Sequence, residues 1–129
     1  MSALKKSLII LFFVYILVYA KAEAHTFFVY SEDTEQYVVE AVENAFMRAG
    51  HQITKERNYV DYFVSVSMSS WVEDELWGLI KSEKARLTIT ILDPRTKNYR
   101  GRESVEGKKD NIDGLADKVV KNIRKYLKK

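Results

Sequence analysis

Two histidines are the sharpest candidates for chemistry in this 129-residue chain, which has no cysteine. His25 follows Ala22-Glu23-Ala24, a small-residue pattern of the kind a signal peptidase cuts. A cut after Ala24 would give His25 two nitrogen donors, a free α-amino group and its imidazole. His51 would add a third. Three such nitrogens suit Cu(II), so His25 and His51 are the expected ligands if the protein holds copper. That is the alternative; the expected reading is a protein with no cofactor. In that case His25 merely follows a cleavage site, and His51, next after Gly50, serves the last carbonyls of a helix or faces water.

Other reactive side chains form no constellation. Ser65, Ser67, Ser69 and Ser70 have no Gly-x-Ser-x-Gly turn around them and no base placed by spacing. Glu73-Asp74-Glu75 matches no calcium-loop spacing, and adjacent loop carboxylates are usually just solvated. No catalytic residue can be assigned, and the expectation is a protein that is not an enzyme. Trp71 and Trp77 sit in the least periodic stretch of the chain. They read either as interface anchors or as plugs for the end of a sheet. Together with Ser65, Ser67 and Ser69 they are the expected partner-binding residues. Arg86, Arg95, Lys97, Arg100 and Arg102 read as charges that blunt a sheet edge.

Composition bounds the class. Hydrophobic residues are 47% and charged residues 30%, an ordinary globular balance. The lack of cysteine excludes a disulfide framework, a cysteine zinc site, a thiol nucleophile and a cysteine-linked lipid. Lys5 and Lys6 precede an uncharged run, Leu8 to Ala20, which is shorter than the ~20 residues a membrane span needs. The run reads as the apolar part of a signal peptide, residues 1–24, cut before His25 or before Glu23; an uncleaved anchor is the alternative. Residues 25–129 then form one domain, periplasmic or secreted, touching a membrane only through the leader. Residues 1–24 carry a net charge of +2, so only +1 of the chain's +3 remains with the rest. No nucleic-acid partner is expected from so weak a field.

The elements follow from periodicity. Thr26–Tyr30 is a run of β-formers. Asp33 and Gln36 resemble a capping box, and apolar residues from Tyr37 to Ala49 keep one helical face until Gly50. His51–Thr54 reads as a short strand or linker. Val60, Tyr62, Val64, Val66 and Met68 alternate with Asp61, Phe63, Ser65, Ser67 and Ser69, the pattern of a sheet packed on one side and wet on the other. A strand continuation past Trp71 turns around Ser82-Glu83-Lys84. Arg86–Leu92 and Tyr99–Val105 flank a turn at Asp93-Pro94. Asp110 or Asn111 starts a closing helix with an apolar stripe from Ile112 to Leu127. The order β-α-(β)-β-β-β-α predicts an α+β, two-layer sandwich: a mostly antiparallel sheet with two amphipathic helices on one face.

The helix ending in Ala49-Gly50, the strand Val60–Val66, the run Ala85-Arg86-Leu87-Thr88-Ile89-Thr90-Ile91-Leu92-Asp93-Pro94-Arg95-Thr96-Lys97, Gly101 and the closing helix make a familiar combination. It resembles the small α/β domains of bacterial envelope accessory proteins. These are the amino-terminal domain of the Tol-Pal translocation protein and the lipoproteins of the curli-secretion and penicillin-binding-protein-activator type. The resemblance implies a binding or assembly module with an envelope protein as partner. This chain lacks the lipobox cysteine many of them carry. The His25 arrangement separately resembles the histidine brace of copper-dependent polysaccharide monooxygenases and the N-terminal histidine of periplasmic copper carriers, but their β-sandwich folds do not match these elements. An exported assembly accessory is therefore the expected function, with a copper protein as the alternative. An inhibitor or immunity-type protein would look the same in sequence, and oligomeric state is not legible in it.

Overall fold

Thr26–Tyr30 forms β1 in the computed structural model, which describes residues 24–127. The expected leader, apart from Ala24, lies outside the described residues. Phe27 and Val29 point into the core while Thr26, Phe28 and Tyr30 take the other face, the period-two consequence of a pleated strand. Helix α1, Gln36–Arg48, follows. It does not begin in the expected capping box: Glu35 precedes it and no side chain caps it. The Ser31 hydroxyl instead accepts the Thr34 N–H at 2.9 Å, closing the turn one step earlier. The other end is as expected. Gly50 stands at φ +93°, a conformation glycine adopts without a Cβ penalty. The Gly50 N–H donates to Met47 O and the His51 N–H to Phe46 O, both at 3.0 Å, the paired bonds of a Schellman closure.

Strand β2 is only Gln52–Ile53. Strand β3 runs Tyr62–Glu75, β4 Ile80–Leu92 and β5 Tyr99–Lys108. The sheet order is β2-β1-β3-β4-β5. The long β3–β4 and β4–β5 ladders are antiparallel, but β1 pairs parallel with both β2 and β3, because α1 carries the chain back before β2 and β3 begin. A 3₁₀ turn, Lys109–Asn111, leads into α2, Ile112–Asn122, and a second one, Ile123–Tyr126, prolongs it. The closing helix is thus interrupted where one continuous helix was expected.

Both helices cover the same face. Val38, Val42 and Phe46 of α1, Leu115 and Val119 of α2, and Ile123 just beyond it share one apolar cluster with Val64 and Val66 of β3 and Leu87, Ile89 and Ile91 of β4. The helices are tied to each other by Arg48, whose guanidinium donates to Asp117 Oδ1 at 2.8 Å. Gly101 of β5 is the contact point for the end of the last helix: a Cβ there would run into the Tyr126 ring. The α+β two-layer architecture with a one-sided sheet is therefore observed.

Candidate functional site

Two regions carry the residues singled out by type. The first is the corner where β1 begins. The Schellman closure of α1 sets the direction of His51, and β2 then pairs beside β1, with the Gln52 N–H donating to His25 O at 2.9 Å. These two local constraints bring together histidines 26 positions apart. The His25 N–H donates to His51 Nδ1 at 3.1 Å. His51 therefore accepts at Nδ1 and carries its proton on Nε2. Its pKa lies below the usual 6.5, chiefly because burial penalises the imidazolium, with the charges of His25 and Arg124 adding to the effect. His51 is thus neutral at pH 7. The imidazole rings lie 5.8 Å apart, with Phe27 5.0 Å from His51 and Tyr62 5.6 Å from His25, both edge-on. Asp61 completes the corner. Its Oδ2 accepts the Thr26 N–H at 2.8 Å and lies 3.9 Å from His25 Nδ1. Asp61 went unrecognised in the sequence, where it passes for the outward residue of an alternating strand. Among the described residues, no group of three or more His, Asp or Glu side chains is arranged to hold a metal.

The second region is the far end of β3 and β4. Strand β5 accompanies β4 only as far as Lys84, opposite Lys108. Beyond it, Val72↔Glu83 to Glu75↔Ile80 continue as a two-stranded arm, about 14 Å long at roughly 3.4 Å per residue. The turn is Leu76 to Leu79, not Ser82 to Lys84 as expected from the polar run there. The arm has no core on either side, so its residues lack the one-sided pattern from which a turn is usually located. Leu76 (φ 51°) and Trp77 (φ 62°) are both left-handed, a conformation that is an outlier for bulky side chains. Both are also exposed, Trp77 completely and Leu76 at 62%, and so is their neighbour Leu79 at 86%.

Trp71 and Trp77 differ in setting. Trp71 is half-buried; its Nε1–H donates to Glu73 Oε1 at 3.0 Å and the Arg86 guanidinium sits 5.9 Å from its ring centre. Trp77 crowns the arm. Ser65, Ser67 and Ser69 share the open face of the sheet with Trp71. They stand opposite Thr90, Thr88 and Arg86, in a band where Thr88 and Ser104 hydroxyls meet at 2.7 Å and Arg86 pairs with Glu106. The histidine corner packs on Phe27 and Tyr62, whose side chains lie on the helix-covered side. The open-face serines and the two imidazoles are therefore not brought together. The basic residues of β4 and β5 are mostly spoken for: Arg102 donates to Thr90 Oγ1 at 3.1 Å and Arg100 lies 3.9 Å from Asp93.

A shallow groove of about 380 Å³ lies between α1 and β2, lined by Glu40, Glu43, Asn44, Met47, Ile53 and Lys55. Glu43 is buried there and its carboxylate accepts from Lys55 Nζ at 2.5 Å, so these two charges offset each other and Glu40 leaves the groove one negative charge.

No family model matches the chain, and no curated protein matches it. Solved structures do. A minor lipoprotein from Acinetobacter baumannii superimposes with TM-score 0.56 at 14% identity, over 78% of this chain and 93% of that one. A PelC dodecamer from Paraburkholderia phytofirmans gives 0.55 at 12%, over 79% and 89%. TolB from Acinetobacter baumannii gives 0.57 at 12%, over 80% of this chain but only 28% of that chain. At these identities the likeness is one of fold. It agrees at that level with the resemblance read from the sequence, since bacterial lipoproteins stand among the fold neighbours.

Proposed function

We propose that this protein is an exported, non-catalytic binding module of a bacterial envelope, an accessory to an assembly there, which meets its protein partner through the β3–β4 arm. The observation that carries this reading is Trp77, wholly exposed at the tip of a strained turn between Leu76 and Leu79. The exposure does not serve the fold. The backbone conformation does, since Trp77 and Gly78, both at positive φ, form the hairpin turn that the Leu79 N–H closes onto Leu76 O at 3.1 Å, but such a turn favours Asn-Gly and does not call for a tryptophan. An exposed apolar side chain gains nothing from burial, and left-handed backbone at a bulky residue costs roughly 1–2 kcal/mol. Residues held in this way cluster at sites of contact. Trp and Leu are also the side chains that anchor an interface once a partner desolvates them. The half-buried Trp71 and the hydroxyl band of Ser65, Ser67 and Ser69 continue this surface along the open face. The envelope setting rests on the leader-like start of the sequence and on the lipoproteins among the fold neighbours. Among the described residues no helix is long and apolar enough to cross a membrane.

The test is site-specific photo-crosslinking in living cells. A photoreactive residue at Leu79 should give one discrete protein adduct, and the same residue at Glu56, near the opposite end of β3, should not. Trp77→Ala should abolish the adduct. Adducts of equal yield at both positions, or none at the arm, would overturn the reading.

A further inference from the structure

We infer that cleavage after Ala24 turns the His25–His51 corner into a three-nitrogen site for a divalent first-row metal, with Cu(II) preferred. The inference goes beyond the binding role of the arm and stands on a separate part of the molecule. Before cleavage the His25 nitrogen is a peptide amide. It is a donor only, and it gives its hydrogen to His51 Nδ1 at 3.1 Å. Hydrolysis of the Ala24–His25 bond leaves a carboxylate on Ala24 and a primary amine on His25, whose lone pair can bind a metal.

The amine would remain in place because β1 is held independently of that bond. His25 O accepts from the Gln52 N–H at 2.9 Å, Thr26 O accepts from the Asp61 N–H at 2.9 Å, and the Thr26 N–H donates to Asp61 Oδ2 at 2.8 Å. The spacing then suits coordination. Two nitrogens bound at about 2.0 Å to one ion and roughly at right angles lie about 2.8–3.1 Å apart, and the amine and His51 Nδ1 are 3.1 Å apart. The His25 imidazole can close a six-membered chelate with its own amine. Asp61, 3.9 Å from His25 Nδ1, adds negative charge beside the ion.

The surroundings favour binding. His51 Nδ1 accepts a hydrogen bond and so presents a lone pair, with no proton to lose before a metal enters. The His25 side chain is only 15% exposed, and Phe27, Phe46 and Tyr62 wall the corner. An all-nitrogen set of amine and imidazoles ranks copper first among these metals. The site is conditional on processing. A chain cut before Glu23 would carry its amine there, where that amine, the next two amides and the His25 imidazole can bind Cu(II) without His51, so the first residue and a His51 variant together tell the two sites apart.

The experiment expresses the full chain with its leader, recovers the exported protein and determines its first residue by mass spectrometry. Cu(II) is then titrated against a competing chelator and the complex is examined by electron paramagnetic resonance. The expected result is His25 first, one tightly bound Cu(II) and a nitrogen-rich spectrum. His51→Gln removes one of the three nitrogens and should weaken binding by at least about 10-fold, the loss that even a change beyond the ligands brings. Circular dichroism establishes that the variant is folded. A mature chain that starts at Glu23 or keeps its leader would overturn the inference. So would undiminished copper affinity in His51→Gln. Trp77 lies outside this corner, so failure here leaves the arm's role to be decided by its own crosslinks.

Discussion

Replacing Trp77 by glycine removes the largest exposed side chain of the arm and should not destabilise the protein. The indole is fully exposed, so it buries no apolar area on folding and none is lost when it goes. Its φ of 62° costs a bulky residue roughly 1–2 kcal/mol that glycine does not suffer. Glycine gives back about 0.5–1 kcal/mol through the greater freedom of its unfolded chain. The net change lies between zero and about 1.5 kcal/mol in favour of the variant. In a domain of roughly 100 residues, each 1 kcal/mol moves Tm by about 4–8 °C. Thermal unfolding followed by circular dichroism should therefore show Trp77→Gly melting at or above the wild-type temperature, by up to about 6–12 °C. Trp77→Ala, which keeps the strained φ, should stay within about 0.5 kcal/mol. Trp71→Ala should lose about 1 kcal/mol, because that ring is half-buried under Arg86 and bonded to Glu73. A fall in Tm of more than about 4 °C for Trp77→Gly would show that the indole packs in solution against the arm or a second molecule. The premise of a free contact residue would then be refuted.

Two further perturbations probe the body of the fold. Gly101→Ala would drive a methyl into the Tyr126 ring and force the last helical turn off β5; it should cost about 1–3 kcal/mol in urea unfolding, and no loss would mean that the Tyr126 contact is not made. His51, whose pKa is depressed in the folded state, gives a pH signature. Below about 6.5 the unfolded chain takes up a proton that the folded chain refuses, so stability is present above that pH and is lost as pH falls through the lowered folded value. With chelator present, wild type should lose stability relative to His51→Gln between pH 7 and 5, and parallel stability curves would contradict the burial of a neutral imidazole there.

The parts of this fold that can be read from sequence are those whose signal is local. Alternation from Tyr62 to Met68 and from Leu87 to Ile91, the helical spacing from Val38 to Phe46, and Gly50 as a helix stop each depend on neighbours within a few residues. Each appears in the structure where one face meets the common core. The same reasoning misplaces the β3–β4 turn by several residues. Beyond Ala85 the hairpin has water on both sides and so no apolar periodicity to report it. The capping box at Asp33 fails for a related reason: the Asp33 carboxylate accepts the Ser31 and Thr34 hydroxyls instead of helix N–H groups, and only the path of the chain decides which donor it meets.

Fold class, the one-sided sheet and the two covering helices were thus determined by the sequence alone, through periodicities of two and 3.6 that bury one face of each element. Strand pairing was not. That β1 lies parallel to β3 depends on contacts more than thirty residues apart, and no local pattern encodes them. The same long-range closure sets the His25 nitrogen beside His51 and separates a half-buried Trp71 from a bare Trp77. Residue type offered all four as candidates. Only tertiary structure decided which of them touch and which face solvent, because burial and distance are properties of the packed chain and not of its spacing.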